Sequence, residues 1–269
     1  MGDVITRGYA CTRDGQLHYR RTGKADAMPI VFLHQTASSG AMFELVMRQM
    51  LPTYAAIAFD TPGFGNSFVP HGDISLVYLA ERLIEALDDL GVGQFDLCGH
   101  HTGGCIALEI AHLIPARVNS FTLIGPVIAS AAERDSYRGT FTAPFAFQPD
   151  GCHLQIAWDY LSTIGAAQTP ALHQREMIDH LLGMETMPKA FSAVWDQDSE
   201  ARLRAISAPI LLMCSQDDVL WRIFHHAVAV RPDAEVAIVQ GMDFQPDNDP
   251  DGVATALMSF IEKGREIRS

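Results

Sequence analysis

The sequence predicts an α/β protein: a mostly parallel twisted sheet with helices on both faces and a helical insertion near its middle. Two observations carry this. Short, almost wholly apolar runs of about five residues recur along the chain, as parallel strands buried on both faces require. Between them lie longer segments whose apolar residues return every three or four positions, as on an amphipathic helix. A third observation, a stretch that breaks this rhythm, gives the insertion.

In chain order, the segment 8–21 reads as a hairpin with Asp14-Gly15 as its turn. Runs 29–33 (PIVFL) and 55–59 (AAIAF) are the first two buried strands. A stripe of Leu76, Leu79, Leu83, Leu87 and Leu90 predicts a helix, with Asp73 as its cap and Gly91 at its stop. Run 94–98 (QFDLC) is the third strand. Ile106, Ile110, Leu113 and Ile114 mark the next helix, ended by Pro115. Runs 121–124, 209–213 and 235–239 complete the strands. A last helix carries Val253, Leu257, Phe260 and Ile261 and is expected to end at Gly264. Residues 129–205 hold no clean strand run. Their aromatics (Tyr137, Phe141, Phe145, Phe147, Trp158, Tyr160, Phe191 and Trp195) suit a helical cap over a pocket, with Trp158 and Trp195 as candidate pocket walls. The core is then 1–128 and 206–269.

Composition narrows the function. A net charge of −13 over 269 residues argues against nucleic acid and against an anionic membrane surface. No apolar run approaches the roughly 20 residues of a bilayer span, and no signal peptide is evident at the N-terminus. The five cysteines form no CxxC pair, which suits reduced thiols in a cytoplasmic protein. The expected partner is a small-molecule substrate; a homodimer stays open.

In open α/β sheets, ligands bind beyond the carboxyl ends of the strands. The residues to weigh are therefore His34-Gln35, Asp60 to Ser67, Gly99 to Gly103, Ser215 to Asp218 and Gly241 to Phe244. A strand, then Gly99-x-x-x-Gly103, then a helix is the backbone pattern of a nucleophile elbow. On these motifs, with the Asp60-Thr-Pro-Gly-Phe-Gly-Asn-Ser67 loop and the terminal helix, the chain resembles the α/β-hydrolase superfamily. The likeness is to its capped group of haloalkane dehalogenases, epoxide hydrolases, esterases and carbon–carbon bond hydrolases. It covers nearly the whole chain outside the insertion and implies the α/β-hydrolase fold and hydrolysis, with lyase chemistry as a variant.

The departures are at the site. Where the family places Ser, Asp or Cys, this chain has His101. The family's acid maps to Asp218, with Asp217 beside it, and its histidine slot holds Asp243. A Ser-His-Asp acyl transfer cannot be written at these positions. Thr102 is expected to face the helix start; His225, His226, Ser67 and Ser215 do not restore the triad. Three readings follow. In the first, His101 is a general acid/base oriented by Asp218 and Asp243, acting on a small, aromatic or apolar, carbonyl compound without a cofactor. In the second, His101, Asp218 and Asp243, with His34 or His100, hold a divalent metal. In the third, the chain is an inactive hydrolase-like binding protein. His34, Gln35, His100 and Thr102 are candidates for the oxyanion or substrate-binding groups, with His34 supporting the elbow from beneath. Asp60 is expected to be structural.

Overall fold

The computed structural model describes residues 4–24, 26–138 and 146–268, with side chains to residue 265; Phe141 and Phe145 of the insertion lie outside the described residues. The strands are β1 (Thr6–Thr12), β2 (Gly15–Thr22), β3 (Pro29–Leu33), β4 (Ala55–Phe59), β5 (Phe95–His100), β6 (Val118–Ile124), β7 (Ile210–Cys214) and β8 (Glu235–Ile238). The α-helices are α1 (Glu44–Gln49), α2 (Leu76–Asp89), α3 (Thr102–Leu113), α4 (Ala131–Arg138), α5 (Cys152–Thr163), α6 (Pro170–Leu182), α7 (Met187–Asp196), α8 (Ser199–Arg204), α9 (Trp221–Val230), α10 (Gln245–Asn248) and α11 (Pro250–Arg268). One eight-stranded sheet runs β1-β2-β4-β3-β5-β6-β7-β8. Only the β1/β2 and β2/β4 pairs are antiparallel.

The period-two alternation of the strands sorts the apolar side chains onto two faces. Val31, Leu33, Ile57, Phe59 and Leu97 pack with Leu79 and Leu83 of α2 and Ile106 and Ile110 of α3. Ile30, Phe32, Ala56, Ala58 and Cys98 pack with Val46 of α1 and Leu257 and Phe260 of α11. Each large side chain removed from water in this way contributes about 1.5–3 kcal/mol. The continuous apolar runs therefore reflect two covered faces. The run at β8 is an exception: it is the sheet edge, and Val236 and Ile238 are exposed.

Local corrections have local causes. The hairpin turn is Arg13-Asp14, with Thr12 paired to Gly15. Gly15 opens β2 because a Cβ there would stand 2.6 Å from Phe68. The cap of α2 is Ser75, whose hydroxyl accepts from Tyr78 N at 3.1 Å; Asp73 is exposed ahead of it. Gly91 follows the helix with φ 67°, as a left-handed stop requires. Gly264 does not stop α11, which continues to Arg268.

Between β6 and β7 the described chain forms the five helices α4 to α8. Ala193, Val194 and Trp195 of α7 join the cluster beneath α2 and α3. Helix α6 is fastened to the core by polar contacts. Ser38 and Ser39 donate to Glu176 and Asp179 at 3.0 and 2.7 Å, and Arg175 grips Asp247 of α10 with bonds of 2.7 and 2.6 Å.

Candidate active site

The parallel register brings the strand ends together: Leu33 pairs Gly99, Gly99 pairs Leu123, and Ile124 pairs Met213. The residues just beyond them are His34, His101, Gly125 and the 215–218 turn. Between β5 and α3, His101 adopts φ 47°, ψ −115°, a conformation disfavoured for L-residues by about 1–3 kcal/mol. It is held by its own N–H donating to Ile124 O at 3.0 Å and by its carbonyl accepting from Gly104 N at 2.8 Å. The flanking glycines are steric necessities. A Cβ on Gly99 would lie 2.5 Å from Gly103 O, and one on Gly103 would lie 2.2 Å from Leu33 O.

From this turn the His101 ring reaches across Gly125 to the acid after β7. His101 Nε2 lies 2.9 Å from Asp218 Oδ2. A Cβ on Gly125 would stand 2.3 Å from that ring, so the glycine makes the space the imidazole fills. Asp218 is buried and also accepts from Gln245 Nε2 at 2.5 Å and from Leu220 N at 2.7 Å. A carboxylate can only accept, so Nε2 of His101 carries the proton and Nδ1 is left with its lone pair. Asp217, the alternative acid, is exposed. Burial opposes charge on His101, but the Asp218 charge and hydrogen bond outweigh it and raise its pKa. Burial likewise opposes charge on Asp218, yet His101 holds its pKa below the usual carboxylate range. The two form an imidazolium–carboxylate pair when His101 is protonated.

Asp243 behaves differently from the expectation that it orients His101. Its Oδ1 accepts from Val219 N at 3.0 Å, and among the described residues Asp218 is the carboxylate that bonds the imidazole. Burial, with the Asp218 charge adding, pushes the Asp243 carboxyl up to about 7.

His101, Thr102 and Asp243 line a cavity of about 70 Å³ with Gln35 and Thr36. Its apolar wall comes from the core (Val127, Leu220) and from the insertion (Tyr160, Phe191, Trp195), with His180 alongside. Thr102, expected to turn toward the helix, lines the cavity too. Among the described residues neither the Gln35 nor the Thr102 N–H donates to another backbone group. Trp158 is not part of this wall: it is 39% exposed and stacks on His173.

Two of the expected binding histidines lie behind the cavity. His34 is buried, with Nδ1 donating to Gln35 O at 2.7 Å and Nε2 accepting from Thr61 N at 2.9 Å. Burial lowers its pKa to about 4, so it stays neutral and fixes the Gln35 loop. His100 is buried against the His101 ring, 4.3 Å between centroids, and burial keeps its pKa well below normal. The ligand atoms of His100, His101 and Asp218 lie within 4.8 Å of one another. Asp243, part of the metal set the sequence suggested, is not in that group. Its members are already bonded, His101 to Asp218 and His100 to Gln245 at 2.6 Å. Gln245 was not among the residues expected from the sequence; its signal was its place two residues beyond Asp243, at the start of α10.

The other triad substitutes are occupied elsewhere. His226 bonds Glu200, and Ser67 donates to Asp60 O. Asp60 is buried and bonded to His18, Arg20, Gly40 N and Asn66 N, a structural anchor.

A strained strand-to-helix turn, an acid after β7 and a third group after β8, all at one sheet edge, define the α/β-hydrolase class. The profile of the alpha/beta hydrolase fold family matches residues 28–230, and the chain belongs to that family. Among curated relatives, a protein of Klebsiella pneumoniae named carbamate hydrolase RutD is 27% identical over 205 residues, 71% of this chain and 74% of that relative. One of Pseudomonas savastanoi with the same name is 25% identical over 251 residues, covering 90% and 96%. These relatives place the chain among hydrolases. Of solved structures, a hydrolase from Pseudomonas aeruginosa superposes with TM-score 0.78 at 22% identity, covering 95% of this chain and 98% of that one. An esterase from Thermogutta terrifontis gives 0.75 at 18%, covering 96% and 99%. No helix of the described residues is long and apolar enough to cross a membrane.

Proposed function

We propose that the chain hydrolyses a small, uncharged acyl compound, with His101 as the general base in place of a serine nucleophile. The observation that carries this is the bond from His101 Nε2 to Asp218, which leaves Nδ1 of a cavity-lining imidazole bare. Neutral His101 takes a proton from water at Nδ1, and the oxygen adds to the substrate carbonyl. Asp218 stabilises the imidazolium so formed. The Thr102 and Gln35 N–H groups, which among the described residues donate to no backbone group, serve the oxyanion. Asp243, protonated near neutral pH, gives its proton to the departing group as the bond to carbon breaks, and the proton on His101 then restores it. These residues suffice to write the hydrolysis without a cofactor.

The cavity favours a small substrate. Its 70 Å³ is about half the roughly 150 Å³ that admits a benzene ring in an engineered apolar cavity. Within the small aromatic or apolar carbonyl compounds expected from the sequence, this favours a short-chain ester, amide or carbamate; the relatives' name points to carbamates. We propose that residues 129–205 act as the cap, because Tyr160, Phe191 and Trp195 wall the site.

Hydrolysis of methyl and ethyl esters and carbamates, followed by pH-stat, tests the reading. Exchanging His101→Gln is expected to lower kcat/KM by about 10²–10⁴-fold with the fold intact. Full turnover by that variant would refute the assignment. Stoichiometric metal in the purified protein, lost in His101→Ala, would transfer the role to a metal.

A further inference from the structure

Behind the cavity, Gln245 and His100 form a buried chain of hydrogen bonds that the hydrolysis does not itself use. Gln245 is fully buried at the start of α10. Its Nε2 donates to Asp218 Oδ2 at 2.5 Å, the same oxygen that receives His101 Nε2. Its Oε1 therefore accepts, and the donor it accepts from is His100 Nε2 at 2.6 Å. The amide has one workable orientation. Turned over, it would set its oxygen 2.5 Å from the Asp218 carboxylate oxygen, acceptor against acceptor. His100 in turn stacks on the His101 ring. Both groups are fully buried, where a mismatched Gln245 amide would cost about 1–3 kcal/mol; His100 Nδ1 has no hydrogen-bond partner, so Nε2 is the ring atom that engages the chain.

We infer that Gln245, clamped by His100, is a positioning residue that fixes the rotation of the Asp218 carboxylate and so holds His101 as the tautomer whose Nδ1 is bare in the cavity. This rests on the hydrolytic reading for its effect on rate, but not for its effect on His101 itself. The Gln245 donor shares the negative charge of Asp218 with His101 and Leu220 N. Without it, the Asp218–His101 pair binds its proton more tightly. The other titratable groups facing this pair are Asp243 from the β8 loop, His100 from β5 and Cys214 at the end of β7. None of them replaces the lost donor.

The test uses Gln245→Met, which keeps length and removes both bonds, and His100→Phe, which keeps the ring on His101 and removes only the clamp. Two readouts are taken on the full chain: the acid limb of kcat/KM, and the ¹⁵N shifts of the His101 ring through a pH titration. Gln245→Met is expected to move the His101 titration and the acid limb upward by about half a pH unit, about threefold in rate at a fixed pH on that limb. His100→Phe is expected to move both the same way by less. In both variants the His101 proton should also populate Nδ1 at high pH, where wild type holds Nε2–H. Unchanged ¹⁵N shifts in both variants would overturn the positioning role. Shifted ¹⁵N values with an unmoved rate profile would uphold it and refute His101 as the base. If Gln245→Met does not fold, the His100→Phe titration decides.

Discussion

At the scale of single residues, the site exchanges the chemical types of two positions and keeps a third. His101 stands at the strained turn, Asp243 stands in the histidine slot, and Asp218 remains the acid. On the proposed mechanism the active form has His101 neutral and Asp243 protonated. The rate is then expected to rise with pH as His101, whose pKa lies above 6.5, loses its proton, and to fall as Asp243 ionises at about 7. A pH–rate profile should be bell-shaped near neutrality, and Asp243→Asn should remove its alkaline limb. The identities at 101, 218 and 243 were legible because a motif fixes their places. Which carboxylate touches the imidazole was not, because both follow strand ends and only the rotamers decide. Gly125 shows the same division. Its position after a strand is visible in sequence, but its duty to leave room for the His101 ring is not. Substituting Gly125→Ala should abolish turnover while circular dichroism stays native, because its Cβ would lie 2.3 Å from that ring.

At the scale of elements, apolar runs and helical stripes located strands and helices well wherever burial was two-sided. They failed where a neighbour sets the boundary. The cap of α2 is Ser75, not Asp73, since the cap must accept from an N–H two or three residues ahead. Ser75→Ala should lower stability by about 1 kcal/mol, measured by urea unfolding. Edge strand β8 carries a core-like run with its side chains exposed, because a run cannot reveal that no further strand pairs beyond it.

At the scale of the molecule, the insertion and the core meet through charge as well as apolar contact. Arg175, Glu176 and Asp179 of α6 engage the loop that carries Gln35 and helix α10, which begins at Gln245. Burial pushes the Glu176 carboxyl from its ordinary 4.5 to about 7, with Asp179 and Asp247 adding against Arg175. Between those pH values the folded chain holds a proton that the unfolded chain has released, so stability falls as pH rises through that window. Glu176→Gln removes this slope. Its melting temperature relative to wild type is expected to be a few degrees higher at pH 8 than at pH 5, by calorimetry.

The sequence by itself determined the sheet, the elbow, the acid and the unusual pair of residues at 101 and 243, because these follow from local periodicity, from glycines where no Cβ fits and from motif position. The tertiary structure alone decided the partner of His101, the proton-bearing nitrogen, the Gln245–His100 clamp and the size of the cavity. Each depends on groups far apart in the chain, 117 residues between His101 and Asp218 and 145 between His100 and Gln245. Only packing sets those distances, and no local pattern records them.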